Sequence, residues 1–153
     1  MAAADSITGM HDDPTTVPDS DTAYRRVRHS EAFIDWDWNL NRWIPLNAAL
    51  HDPQGGREVS IYLRSFLAET EGPDDVASAR PGSVAFAANV GGARSFGFGV
   101  THRPDQDTGP LRHAHGNING RSGWSKADYK ALRNDLARQM TLAAGEITLK
   151  RPA

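Results

Sequence analysis

Two histidines spaced two apart, His113 and His115, are the sharpest chemical feature of the sequence. On a strand, side chains at that spacing share a face about 6.5 Å apart. That is close enough to share one metal ion whose Zn–N bonds are ~2.0–2.1 Å. His102 can add a third ligand, with Asp105 and Asp107 just downstream of it as oxygen donors. The pair lacks a diagnostic third-ligand spacing, so a second reading stands beside the first, in which both rings are hydrogen-bonded at a strand end next to Gly116. The composition calls for no cofactor, and a divalent metal is the one that these residues would hold.

The same histidines allow chemistry without a metal. His113 and His115 can act as general base and acid, with Arg94 or Arg112 stabilising the anion, which is what cleavage of a phosphodiester such as RNA demands. Arg94, His102 and Arg112 are also the candidates for ligand binding. Tyr24-Arg25-Arg26-Val27-Arg28 places three arginines in four positions, which suits phosphate; pairing with the following Glu31, Asp35 and Asp37 is the alternative. Other chemistries find no signature. Gly91-Gly92 and Gly97-Phe98-Gly99 lack the Lys-Ser/Thr of a phosphate loop, no Gly-x-Ser-x-Gly elbow occurs, and a chain without cysteine has no thiol nucleophile.

These residues need a scaffold. Ser83–Val90 and Ala93–His102 flank Gly91-Gly92 and read as a hairpin, because glycine reaches the positive φ of tight two-residue turns. In that register Phe86 faces Gly97, and each large ring lies across from a small residue. A rival reading makes Asn89–Phe96 a helical turn stopped by Gly97. Leu111–Ile118 returns as a further strand, and Glu58–Leu63 alternates as a strand should. Ile34 to Asn41 alternates too, either as a strand or as a loop anchored by tryptophan. Its Trp36 and Trp38, with Trp43 beyond, serve as core or as stacking platforms for bases or sugars. Asn47 reads as the cap of a short turn. Two short helical pieces are expected between Ser65 and Ala79, the second beside Pro73.

The clearest helix runs from Lys126 to about Ala144. Ser125 and Asp128 make a capping box, and Trp124 and Tyr129 occupy the positions of a hydrophobic staple. Leu132, Leu136, Ala137 and Met140 form its inward stripe, while Lys130, Arg133, Asp135 and Arg138 face elsewhere. Glu146–Lys150 reads as a last edge strand.

The 153 residues are the size of one domain. Residues 1–22 hold five aspartates and no Lys or Arg, giving −5; with −2 for the whole chain, the remainder sums to +3 (−2 less −5). That small excess does not point to nucleic acid, although a local basic patch remains compatible with it. The tail's Ala, Asp, Ser, Thr and Pro cannot offset the entropy of ordering, so 1–22 is expected to be a disordered acidic leader to a single domain spanning 23–153. No apolar run approaches the ~20 residues that cross a bilayer, and a cysteine-free chain fits the cytosol.

The order of the arginine-rich start, Val59-Ser60-Ile61-Tyr62-Leu63, Ala93-Arg94-Ser95-Phe96-Gly97 with Val100, and His113-Ala114-His115 with Gly120 resembles a family of small uncharacterised bacterial proteins, over about Arg25 to Gly120. The resemblance implies a bacterial source and no particular activity. The expected architecture is α+β, a single domain with a mainly antiparallel sheet covered by a C-terminal amphipathic helix. The expected function is a small binding or interaction module for a protein or small-molecule partner, with a small hydrolase as the alternative.

Overall fold

The computed structural model describes residues 16–51 and 57–152. Its centre is β1 (Thr22–Arg28), the arginine-rich segment, which takes strand form and lies inside a six-stranded sheet of order β6-β7-β4-β1-β5-β8. The partners are β4 (Glu58–Leu63), β5 (Ser83–Asn89), β6 (Gly99–His102), β7 (His115–Asn119) and β8 (Thr141–Ala144). All pairings are antiparallel. A separate hairpin joins β2 (Ile34–Asp37) to β3 (Arg42–Pro45). The helices are α1 (Pro73–Ser78), α2 (Val90–Ser95) and α3 (Lys126–Gln139). The chain is thus one α+β domain whose C-terminal helix packs on an antiparallel sheet.

Strand periodicity sorts the sheet into two unlike faces. Ala23, Val27, Val59, Ile61, Val84 and Phe86 point to one side, where Leu136, Ala137 and Met140 close the main core. Tyr24 and Ala85 point to the other side, where Val76 and Ala77 of α1, Leu111 and Ala144 cover them in a smaller cluster. Pro73 starts α1, and the Asp75 carboxylate accepts the Gly72 amide at 2.8 Å. Ser125 caps α3 by accepting from the Asp128 amide at 3.0 Å, and the Trp124 and Tyr129 rings lie 6.3 Å apart, as a staple requires.

Several expectations are corrected. Gly91-Gly92 is no hairpin turn: both glycines lie in α2, whose N-cap Asn89 accepts from the Gly92 amide at 2.8 Å, while the Gly91 amide donates to the Asp19 carbonyl. With first-turn amides satisfied in this way, the helix costs less than its two glycines suggest. Gly97, at φ +99, ends the turn, so β6 begins only at Gly99. Phe86 faces Arg25 and Leu142 instead of Gly97. The segment Arg112–Ala114 is a 3-10 turn, so β7 starts only at His115. Asn47 does not cap its turn; its side-chain amide donates to the Lys130 carbonyl of α3.

At the other end, α3 stops at Gln139, and Met140 enters extended backbone. The open edge of β5 recruits Thr141–Ala144 as β8, and 146–150 forms no strand. Arg133, expected on the outer face, is buried with its guanidinium 4.4 Å from the Tyr129 ring. The leader expectation changes as well. Residues 1–15 lie outside the described residues, but Val17 is 1% exposed within the main core and β1 begins at Thr22. Asp21 is buried too and accepts from the Ser65 amide and hydroxyl. Composition concealed this because the partners of Val17 and Asp21 are remote in sequence. No helix among the described residues is long and apolar enough to cross a membrane.

Candidate functional site

The three expected histidines lie near one another along the chain but do not aim at one point. In the β6–β7 ladder His102 is opposite Gly116, one position out of phase with His115, so the two side chains leave the sheet on opposite faces. The His102 ring stacks on Phe66 at 3.7 Å, and its Nε2 donates to the His113 carbonyl at 2.7 Å. His113 is exposed, and its Nε2 lies 2.5 Å from the Glu71 carboxylate. That carboxylate also accepts from the Ala68 amide at 2.8 Å. The amide first, and His113 second, hold the Glu71 carboxyl below its ordinary range. His115 is buried; its Nδ1 donates to the Arg103 carbonyl at 2.8 Å, and its ring meets Tyr62 edge to face. Because a carbonyl only accepts, Nδ1 carries a proton, and in the neutral ring Nε2 is the acceptor. Among the described residues no three carboxylate or imidazole side chains group closely enough to hold a metal ion.

The arginines divide in the same manner. Arg94 sits on α2 and bonds Asp19 at 2.7 Å. Its helix follows Asn89, at the end of β5 opposite Ser83 and about 20 Å away at ~3.3 Å per residue. Arg112 is exposed on the 3-10 turn. Among the described residues, neither lines the cleft that holds His115. Trp38 is 58% exposed beyond the end of β2, and Trp36 is buried edge-on against Trp43.

The site that does form lies on the polar face of the sheet. Strands β1 and β4 pair only at Ala23↔Leu63 and Tyr24↔Tyr62, although both continue. Beyond that point the Ser60 carbonyl accepts from Arg25 Nη1 at 2.8 Å, and Arg25 Nε donates to the Ala49 carbonyl at 2.9 Å. The ladder gives way to a side chain, and a cleft of about 460 Å³ opens beside it. Arg26, Arg28 and Arg80 line one part, and Tyr62, Asp107 and His115 the other, with Ser60, Ser83 and Gln106 between and around them. Arg26 Nε donates to the Val76 carbonyl at 2.7 Å, and its guanidinium lies 5.3 Å from the Tyr62 ring.

Tyr62 donates its hydroxyl to Asp107 at 2.9 Å. Burial, and then this bond, push the phenol above its ordinary value. Desolvation alone would raise the Asp107 carboxyl, but the Gly109 amide, the Tyr62 hydroxyl and the Thr108 amide outweigh it and hold the group below its usual range. Asp107 is therefore ionised and turned toward donors. Gln106, which lines the cleft, accepts from the Asn117 amide at 2.6 Å, and Asn117 also donates to Glu58 at 3.1 Å.

Of the expected metal-ligand and acid–base residues, His115 and Asp107 line this cleft. All three arginines of the triplet line it as well. Pairing with Glu31, Asp35 and Asp37 was the triplet's rival explanation, yet Asp37 lies instead 3.6 Å from Arg138. Arg28 and Arg80 have no ion-pair partner among the described residues. Arg80, from the loop before β5, and Tyr62, from the alternating strand, gave no local sign that they would line the cleft. No protein-family model, curated protein or solved structure matches the chain.

Proposed function

We propose that this chain is a small binding module whose ligand is a small organic anion held in the cleft between β1 and β4. One observation carries the reading: Arg26, Arg28 and Arg80 converge without a carboxylate partner, among the described residues, on a cleft of about 460 Å³, a size typical of small-ligand sites at ~300–1,000 Å³. Guanidinium groups present planar donor forks that suit phosphate and carboxylate oxygens. The cytosolic, bacterial setting expected from the sequence belongs to the same proposal. Thermal denaturation at low salt with increasing inorganic pyrophosphate tests it. Saturating anion should raise the melting temperature by several degrees, and Arg28→Ala combined with Arg80→Ala should abolish the rise. An unchanged melting temperature in the parent protein would overturn the proposal.

A second reading, a hydrolase acting on RNA or another phosphodiester, is favoured by the tautomer of His115, whose neutral ring has Nε2 as its acceptor on a residue that lines the cleft. His113, the other half of the expected acid–base pair, points to Glu71 instead, so binding is preferred. Chelator-resistant cleavage that is lost in His115→Ala and kept in His113→Ala would reverse that order.

A further inference from the structure

The cleft is not uniformly cationic, and its asymmetry limits what can occupy it. It extends from Ser83 on β5, across β1 and β4, to His115 on β7. That is three interstrand spacings, about 14 Å, which one phosphate group cannot span. At the β5 end, Arg28 lies directly opposite Ser83, and Arg80 comes from the loop leading into that strand. Two arginines and a serine line that end, and among the described residues the only carboxylate that lines the cleft is Asp107. At the β7 end stands Asp107, with Gln106 and His115.

The Asp107 carboxylate already accepts from the Tyr62 hydroxyl at 2.9 Å and from the Thr108 amide at 2.8 Å and the Gly109 amide at 3.2 Å. A carboxylate has about four acceptor positions, so capacity remains for a further donor. A second anion at that end would meet a like charge. A neutral hydroxyl would find the carboxylate and the His115 Nε2 as acceptors.

Resting on the anion-binding reading, we infer that the ligand is a phosphorylated polyhydroxy compound, its phosphate between Arg28, Arg80 and Ser83 and its hydroxyls toward Asp107 and His115. Arg26 sits between the two ends, its guanidinium held by the Val76 carbonyl and the Tyr62 ring. It is placed to reach the bridging part of such a molecule. Both a sugar phosphate and a nucleotide carry this chemistry.

Calorimetric titration of the full chain at low salt tests the assignment with inorganic phosphate, ribose, ribose 5-phosphate and 5′-AMP as probes. Ribose 5-phosphate or 5′-AMP should bind at least tenfold more tightly than inorganic phosphate, and ribose should give no measurable heat. The tighter of the two assigns the ligand to sugar phosphates or to nucleotides. Asp107→Asn should reduce the preference over inorganic phosphate at least fivefold without weakening phosphate itself. Tyr62→Phe removes the hydrogen bond but keeps the carboxylate, and should retain the preference. Equal affinity for phosphate and both esters, or equal loss of preference in Tyr62→Phe and Asp107→Asn, would overturn the inference while leaving anion binding in place. Failure of every probe to bind would overturn both.

Discussion

The two faces of the sheet use the same strands for opposite purposes. On β1, Ala23 and Val27 enter the main core, while Arg26 and Arg28, one step out of phase, line the cleft. On β4, Val59, Ile61 and Leu63 are buried while Ser60 and Tyr62 face the cleft. The apolar face is closed by α3 and gains its stability from excluded water. The other face is only part-covered, by α1 and the 104–114 segment; a smaller apolar cluster around Tyr24 and Ala85 lies there beside cleft groups held by directed hydrogen bonds. Substitution in the main core is therefore expected to cost more stability than substitution of the exposed cleft arginines.

Substitutions on each side can break that comparison. The largest effect is expected at Leu136, 1% exposed beneath the sheet. Leu136→Ala should cost ~2–5 kcal/mol through lost burial and the cavity left behind, read from urea denaturation. A cost below ~1 kcal/mol would show that the α3 face does not carry the fold.

Next in size is the contrast between neighbouring arginines. Arg25→Ala leaves the Ala49 and Ser60 carbonyls without their guanidinium donor, so ~1–3 kcal/mol should be lost. Arg28→Ala should stay within ~0.5 kcal/mol, as exposed positions do, and should affect anion binding alone. Equal stability losses in the two variants would erase the division between a structural and a cleft-facing arginine.

The smallest effect sharpens the polar face alone. The folded carboxyl of Asp107 lies below its unfolded value of 3.8. Its contribution is thus present above that value and lost as pH falls through the depressed folded one. Tyr62, raised above 10.0, contributes below that value and loses its contribution as pH rises through the raised one. Asp107→Asn should flatten the acid limb of the urea midpoint as pH falls below the carboxyl's ordinary value of 3.8. An acid limb unchanged by the substitution would remove Asp107 from the set of stabilising groups.

How much of this was legible depended on how local the cause was. The start of α3 was readable because Ser125, Asp128, Trp124 and Tyr129 act on each other within one turn. Strand β4 was readable because Val59, Ile61 and Leu63 alternate against a single core. Gly91-Gly92 misled because the groups that settle its form include the Asp19 carbonyl, far away in sequence. The end of α3 misled because β5 needed an edge partner and took residues that helical spacing had assigned to the helix.

The candidate site follows the same division. By itself the sequence determined which residues could do chemistry: three arginines in four positions, a histidine pair, and Asp107 downstream of His102. Tertiary structure alone decided which of them meet. Register sent His102 and His115 to opposite faces, an interrupted ladder between β1 and β4 opened the cleft, and chain return brought Arg80 and Asp107 to its two ends. The physical reason is that side-chain type and period are properties of neighbouring residues, whereas convergence depends on strand order and register, which are set by the burial of the whole apolar face.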